Sequence, residues 1–198
     1  MEHRYRLFLV FTVVITFGLA GCASFREGTL PPPSSWPPAL AQGKKSISVI
    51  VTGEAMMEGR RGDVPLQMVQ QWQSPTIKAY RDSGLFSEVK AGPAQTDLRA
   101  EVHIRDMGEA SKGMAIVSGL TLTLFPATGH DRLVVQTTIK DANGENLGTF
   151  EKTETVNFWI QFFLIFIMPF NWPPTVVSDT LYDLSRAIIV EAHAHNFF

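Results

Sequence analysis

Apolar and polar residues alternate most cleanly between Leu98 and Arg105. Leu98, Ala100, Val102 and Ile104 interleave with Arg99, Glu101, His103 and Arg105. A period of two with one charged face predicts a strand covered on one side and wet on the other, with His103 turned to solvent. Ser46–Thr52 is β-branched and partly alternating, and predicts another strand. Gly53 to Asp63 reads as an exposed loop. Leu133–Lys140 and Leu147–Val156 flank Asp141-Ala142-Asn143-Gly144-Glu145-Asn146, which is turn chemistry, so they predict an antiparallel hairpin. In its second strand Thr149, Glu151, Thr153 and Thr155 share one face, and Phe150 and Val156 share the other.

Helical spacing occurs in two places. Ser74-Pro75 predicts a helix start, with Ser74 as N-cap and Pro75 at the first position. Gly84 stops that helix, and Leu85, Phe86 and Val89 lead into a short strand. Leu66–Trp72 fits no single template. After Pro173-Pro174, Val177, Leu181, Leu184 and Ile188 recur at helical spacing and predict a C-terminal helix across the covered face of the sheet. The fold class expected is α/β in the α+β sense: a mostly antiparallel sheet with helices on one face.

The N-terminus follows a different logic. Arg4 and Arg6 precede an almost unbroken apolar run from Leu7 to Leu19, which is too short for a comfortable transmembrane helix and suits a signal peptide. The run ends in Leu19-Ala20-Gly21-Cys22, and Cys22 is the single cysteine of the chain. These four residues resemble the lipobox of bacterial membrane lipoproteins at every position. The resemblance implies cleavage between Gly21 and Cys22, a diacylglycerol thioether on the Cys22 thiol and often a further acyl chain, such as palmitate, on the new amine. It implies a lipid-anchored, periplasm-facing envelope protein. Ala23 stands where aspartate would favour inner-membrane retention, so the outer membrane is favoured. At about 0.8 kcal/mol per buried methylene, two or three acyl chains hold a protein on a bilayer nearly permanently.

Residues 1–21 are therefore expected to leave as a signal peptide. Residues 22–45 are expected to form a proline-rich tether, and 46–198 the globular domain. Five of the 12 prolines fall within Pro31–Pro38, which favours extended polyproline II. At about 3.1 Å per residue such a tether would hold the domain as far as ~60 Å from the membrane.

Two apolar segments flank the hairpin, Met114–Phe125 and Phe158–Phe170. Phe158, Phe162, Phe166 and Phe170 are spaced by four, as in a helix apolar on every side. A dozen helical residues span about 18 Å, too little to cross a bilayer alone. The hairpin turn brings both segments to one end of the sheet, where Ser118 and Gly119 would permit close approach. Two arrangements fit: a lobe buried against the C-terminal helix, or a lobe that contacts membrane or a partner. For the second, the contact residues are Leu120, Leu122, Phe158, Trp159, Phe162, Phe163, Phe166 and Phe170, with Trp159 and Trp172 suited to an interface.

Charge and chemistry narrow the function class. Removing residues 1–21 takes away Arg4, Arg6 and Glu2, leaving 15 basic and 18 acidic residues, a formal −3. That argues against a nucleic-acid partner. With Cys22 acylated, no thiol remains for a disulfide. No phosphate-binding loop, nucleophile elbow, zinc-protease motif or cofactor motif is present. His193 and His195 lie near the terminus without an obvious third ligand, and the tail that carries them is expected to fray. Asp82-Ser83-Gly84-Leu85-Phe86-Ser87-Glu88-Val89, a helix stop followed by a strand, is similar to small α/β envelope lipoproteins that accompany transport systems. The expectation is a non-enzymatic accessory or docking component of a membrane complex, without cofactor or metal. The alternatives are a binding module for cell wall or small ligand, using Arg99, Glu101, His103 and Arg105, and a cell-envelope enzyme.

Overall fold

The computed structural model describes residues 21–32, 35–39 and 43–197. Residues 1–20, which hold all but the last residue of the expected signal peptide, lie outside the described residues. The strands are β1 (Gly21–Arg26), β2 (Ser46–Met57), β3 (Arg60–Gly62), β4 (Glu88–Ala91), β5 (Leu98–Ala110), β6 (Ala127–Asp141) and β7 (Asn146–Gln161). They form one sheet in the order β1-β7-β6-β5-β2-β3, with β4 also paired to β2. β2 runs parallel to β4 and β5, and the other pairings are antiparallel. The helices are α1 (Leu66–Asp82), α2 (Lys112–Leu120) and α3 (Pro173–Ala194). The expected mostly antiparallel sheet with helices on one face is the fold observed.

Alternation sets the core. Ile47 and Val49 of β2, Leu98, Ala100, Val102 and Ile104 of β5, and Leu133, Val135 and Ile139 of β6 are buried together with Leu181, Leu184 and Ile188 of α3. Tyr80 of α1 is buried among them, and its hydroxyl is hydrogen-bonded with Thr137. The opposite face is wet and ion-paired: Lys140 Nζ meets Glu101 at 2.7 Å, and Arg105 meets Glu151 at 2.7 Å. The β6–β7 turn closes as expected, with Gly144 at positive φ and Asp141 Oδ1 accepting the N–H groups of Asn143 and Glu145.

Four expectations are corrected. Residues 53–63 are not a loop: β2 continues to Met57, and Glu58-Gly59, both at positive φ, turn the chain into β3. Gly53 sits inside β2 because a Cβ there would stand 2.4 Å from the Trp72 ring. Helix α1 starts at Leu66, not at Ser74, and carries Pro75 in its interior. The residues around Pro75, namely Trp72, Thr76, Ile77 and Tyr80, are buried, and this packing offsets the missing N–H.

The third correction concerns the boundary at Ser46. Residues 22–45 are not a free tether followed by a domain, because the sheet already begins at Gly21. The chain after β1 is then held by Glu154, fully buried on β7. Its carboxylate accepts the Leu30 N–H at 3.0 Å and the Thr29 hydroxyl at 2.9 Å. Further along, Trp36 packs edge-on against Tyr182 of α3, with ring centroids 6.4 Å apart. A proline-rich strip cannot join a ladder through its prolines, yet its Leu30 and Trp36 side chains still pack half-buried against the core. The fourth concerns the C-terminus, which packs down: His195 stands 5.9 Å from the Phe150 ring and 6.0 Å from that of Phe197.

Candidate membrane-contacting site

Both apolar segments are at one end of the sheet, as the hairpin geometry requires. The first enters from the C-terminal end of β5. Ser111 caps α2, its Oγ accepting the Met114 N–H at 3.3 Å. The chain then tightens through Leu122 and Thr123, both at positive φ, with the Thr123 N–H on the Ser118 carbonyl at 2.7 Å. The second segment is not one helix. Phe158–Gln161 is the end of β7, Phe162–Phe166 is a short 3-10 helix, and turns lead on to Asn171. The four phenylalanines therefore form no stripe. Strand pairing continues along β7 because β1 and β6 both have partners to offer it there.

The segments are joined through backbone. The Phe162 N–H donates to the Thr123 carbonyl at 3.0 Å. Gln161, the one polar residue of its stretch, donates its side-chain amide to the Leu124 carbonyl at 3.3 Å. Gly119 does not supply the expected close approach, since nothing lies within 4 Å of where its Cβ would be.

Most of the lobe is exposed. Leu120 is 81% exposed, Phe166 74% and Phe170 85%, and Leu122, Leu124, Phe125, Trp159, Ile160, Phe163 and Trp172 are exposed as well. Phe162 is half-buried, edge-on to Phe163 at 5.3 Å. Phe158 is different: it packs on the edge of the core and is not a surface residue of the lobe. Clustered apolar side chains of this size on a surface mark a contact site. Among the described residues no helix is long and apolar enough to cross a membrane.

Cys22 lies against this lobe. It is paired with Ile160 across the β1–β7 ladder. The preceding Gly21 packs so tightly on the 3-10 helix that a Cβ there would fall 2.1 Å from the Ile165 nitrogen. Partial burial raises the pKa of the Cys22 thiol, the opposite of what a redox or catalytic cysteine requires.

On the wet face, His103 is 3.6 Å from Glu54 and 3.1 Å from the Thr52 hydroxyl. Glu101 and Arg105 are in ion pairs, so three of the four proposed binding residues have partners within the fold. Among the described residues no group of three or more His, Cys, Asp or Glu side chains could hold a metal ion.

One feature escaped the sequence reading. Asp106 of β5 and Asp131 of β6 continue the core-facing parity of Ile104 and Leu133. Both line a cavity of about 540 Å³ between α1, α3 and the end of the sheet. Burial and the neighbouring Asp131 push the Asp106 carboxyl up to about 7, and burial also raises Asp131. The signal was present: an acidic residue at the next inward position of an otherwise apolar alternation.

No protein-family model and no curated protein matches this chain. Among solved structures it is similar to a Xanthomonas campestris protein of family DUF330, at 8% identity and a TM-score of 0.47, over 83% of this chain and 92% of that one. It is also similar to PelC from Paraburkholderia phytofirmans, solved as a dodecamer, at 10% identity and a TM-score of 0.36, over 86% and 95% of the two chains.

Proposed function

We propose that this chain is a non-enzymatic, lipid-anchored accessory protein of the bacterial envelope, with the outer membrane favoured. Its apolar lobe rests in the same bilayer that carries acylated Cys22. The observation that supports this reading is the position of Cys22, directly paired with Ile160 and beside the 3-10 helix that presents Phe163 and Phe166. Acyl chains leaving Cys22 and the exposed aromatics are then neighbours, and the domain sits on the membrane surface without a spacer. Each large apolar side chain removed from water contributes about 1.5–3 kcal/mol, so a few of them orient the domain although the acyl chains retain it. The exposed rings of Trp159 and Trp172 support this reading, because such rings are favoured at membrane interfaces.

The test is a photoreactive residue at Phe166 in the membrane-bound, acylated protein. Capture of lipid is expected. Capture of one protein species instead means that the lobe docks a membrane complex. Phe166→Asp and Phe170→Asp are expected to lower lipid capture while leaving the melting temperature unchanged. If they unfold the domain, the lobe is core and the reading fails.

A further inference from the structure

The cavity between α1 and α3 adjoins the lobe and has its own chemistry. Its walls include Trp72 and Pro75 from α1, Phe158 from β7, and Pro174, Val177 and Leu181 from α3. Asp106 and Asp131 are the charged groups on it, and α1 and α3 add only the uncharged polar side chains Gln71, Ser74 and Ser178. A second hollow of about 270 Å³, which reaches Met57 and Ala115 and is also lined by Glu109 and His130, shares Asp131 and Phe158 with the first, so the space is elongated. The size lies within the range of small-molecule sites, roughly 300–1,000 Å³.

The carboxylates are poorly compensated. Asp106 pairs with Leu133 in the ladder and Asp131 with Gly108, which makes the two acids diagonal neighbours on one face. Asp106 Oδ1 is shielded from water and accepts no hydrogen bond among the described residues. Gly108 leaves room for the pair, since a Cβ there would meet Asp131 Oδ1 at 2.8 Å. The His130 side chain favours ionisation of Asp131 but also stands 3.3 Å from Glu109, and among the described residues no basic group acts on Asp106. Asp106 Oδ1, an acceptor left without a bonded donor in a largely apolar recess, complements a ligand that carries the donor. Two carboxylates in apolar walls make a poor metal site, and a purely apolar ligand would leave both acids desolvated.

We propose that this cavity binds an organic ammonium ion. Its N–H groups are held by Asp106 and Asp131, and its apolar body lies against Trp72 and Phe158. The ammonium supplies the charge that the fold lacks, so it binds the ionised pair and displaces the proton that burial retains there. Affinity rises with pH through neutrality, as long as the amine itself stays protonated.

The experiment is calorimetric titration of the full chain, purified in nonionic detergent, with 4-phenylbutylamine, and with 4-phenylbutanol as the isosteric neutral control. The amine is expected to bind at least about tenfold more tightly than the alcohol, a difference of about 1.4 kcal/mol. Its affinity is expected to rise severalfold from about pH 6 to about pH 8. Asp106→Asn is expected to abolish the preference for the amine, and Asp131→Asn to weaken it. Both variants relieve an unpaired acid and are expected to melt no lower than the parent. Equal binding of amine and alcohol, an unchanged amine preference in Asp106→Asn, or no amine binding up to about 10 mM overturns the proposal.

Discussion

Cys22 stands directly opposite Ile160 in the antiparallel β1–β7 ladder, so the residue expected to be acylated is part of the sheet and not the far end of a spacer. The next residues hold the strand in place: Ser24 N–H donates to the Asn171 carbonyl at 3.0 Å, and Arg26 reaches Asp183 of α3 at 2.6 Å. Ser24→Pro removes that donor and is expected to lower stability by about 1–3 kcal/mol in denaturant unfolding. A loss near zero would mean that β1 contributes nothing to the fold.

Glu154 is the buried clasp of the proline-rich strip. Burial alone would raise its pKa. Hydrogen bonds from the Leu30 N–H, the Thr29 hydroxyl and the Thr155 N–H outweigh that effect and hold the carboxyl below the usual glutamate range. Its stabilising effect is present above the unfolded value of about 4.3 and is lost as pH falls through the lower folded value. Glu154→Gln is expected to cost about 1–3 kcal/mol at neutral pH, with the difference from the parent narrowing in acid. Urea midpoints at several pH values measure both.

Asp106 acts in the opposite direction. Its folded carboxyl titrates near 7 against about 4 when unfolded. Between those values the folded state holds a proton that the unfolded state has released, so stability falls as pH rises from about 4 to about 7 and stays low above. Asp131, also raised, contributes with the same sign. Asp106→Asn is expected to melt above the parent at about pH 8 and close to it at about pH 4, as thermal scans would show.

Phe158 and Phe166 occupy one apolar stretch but different environments. Phe158 packs on the core and lines the cavity, whereas Phe166 is largely exposed. Phe158→Ala is expected to cost about 2 kcal/mol, less than the 3–5 of a fully buried phenylalanine. Phe166→Ala is expected to stay within about 0.5 kcal/mol of the parent in equilibrium unfolding. Equal losses at the two positions would place Phe166 in the core.

Local period determined much of this protein. Leu98 to Ile104 reports its own buried face, Asn143-Gly144 reports its own turn, and Leu181 to Ile188 reports its own helix, because each pattern is read within a few residues. The meeting of the two apolar segments at one end of the sheet also followed from the turn position, whereas their exposure was decided by the tertiary structure. Tertiary structure decided what depends on distant partners. Residues 22–45 read as a spacer until β7 offers an edge to Cys22 and Glu154 offers acceptors to Thr29 and Leu30. Pro75 reads as a helix start until the sheet buries the residues on both sides of it. The run from Phe158 to Phe170 reads as a helix until β1 and β6 pair with its first residues. Asp106 and Asp131 are 25 positions apart in the sequence and become neighbours only through the β5–β6 register. In each case the deciding energy is a long-range pairing or burial, and such terms override local propensity.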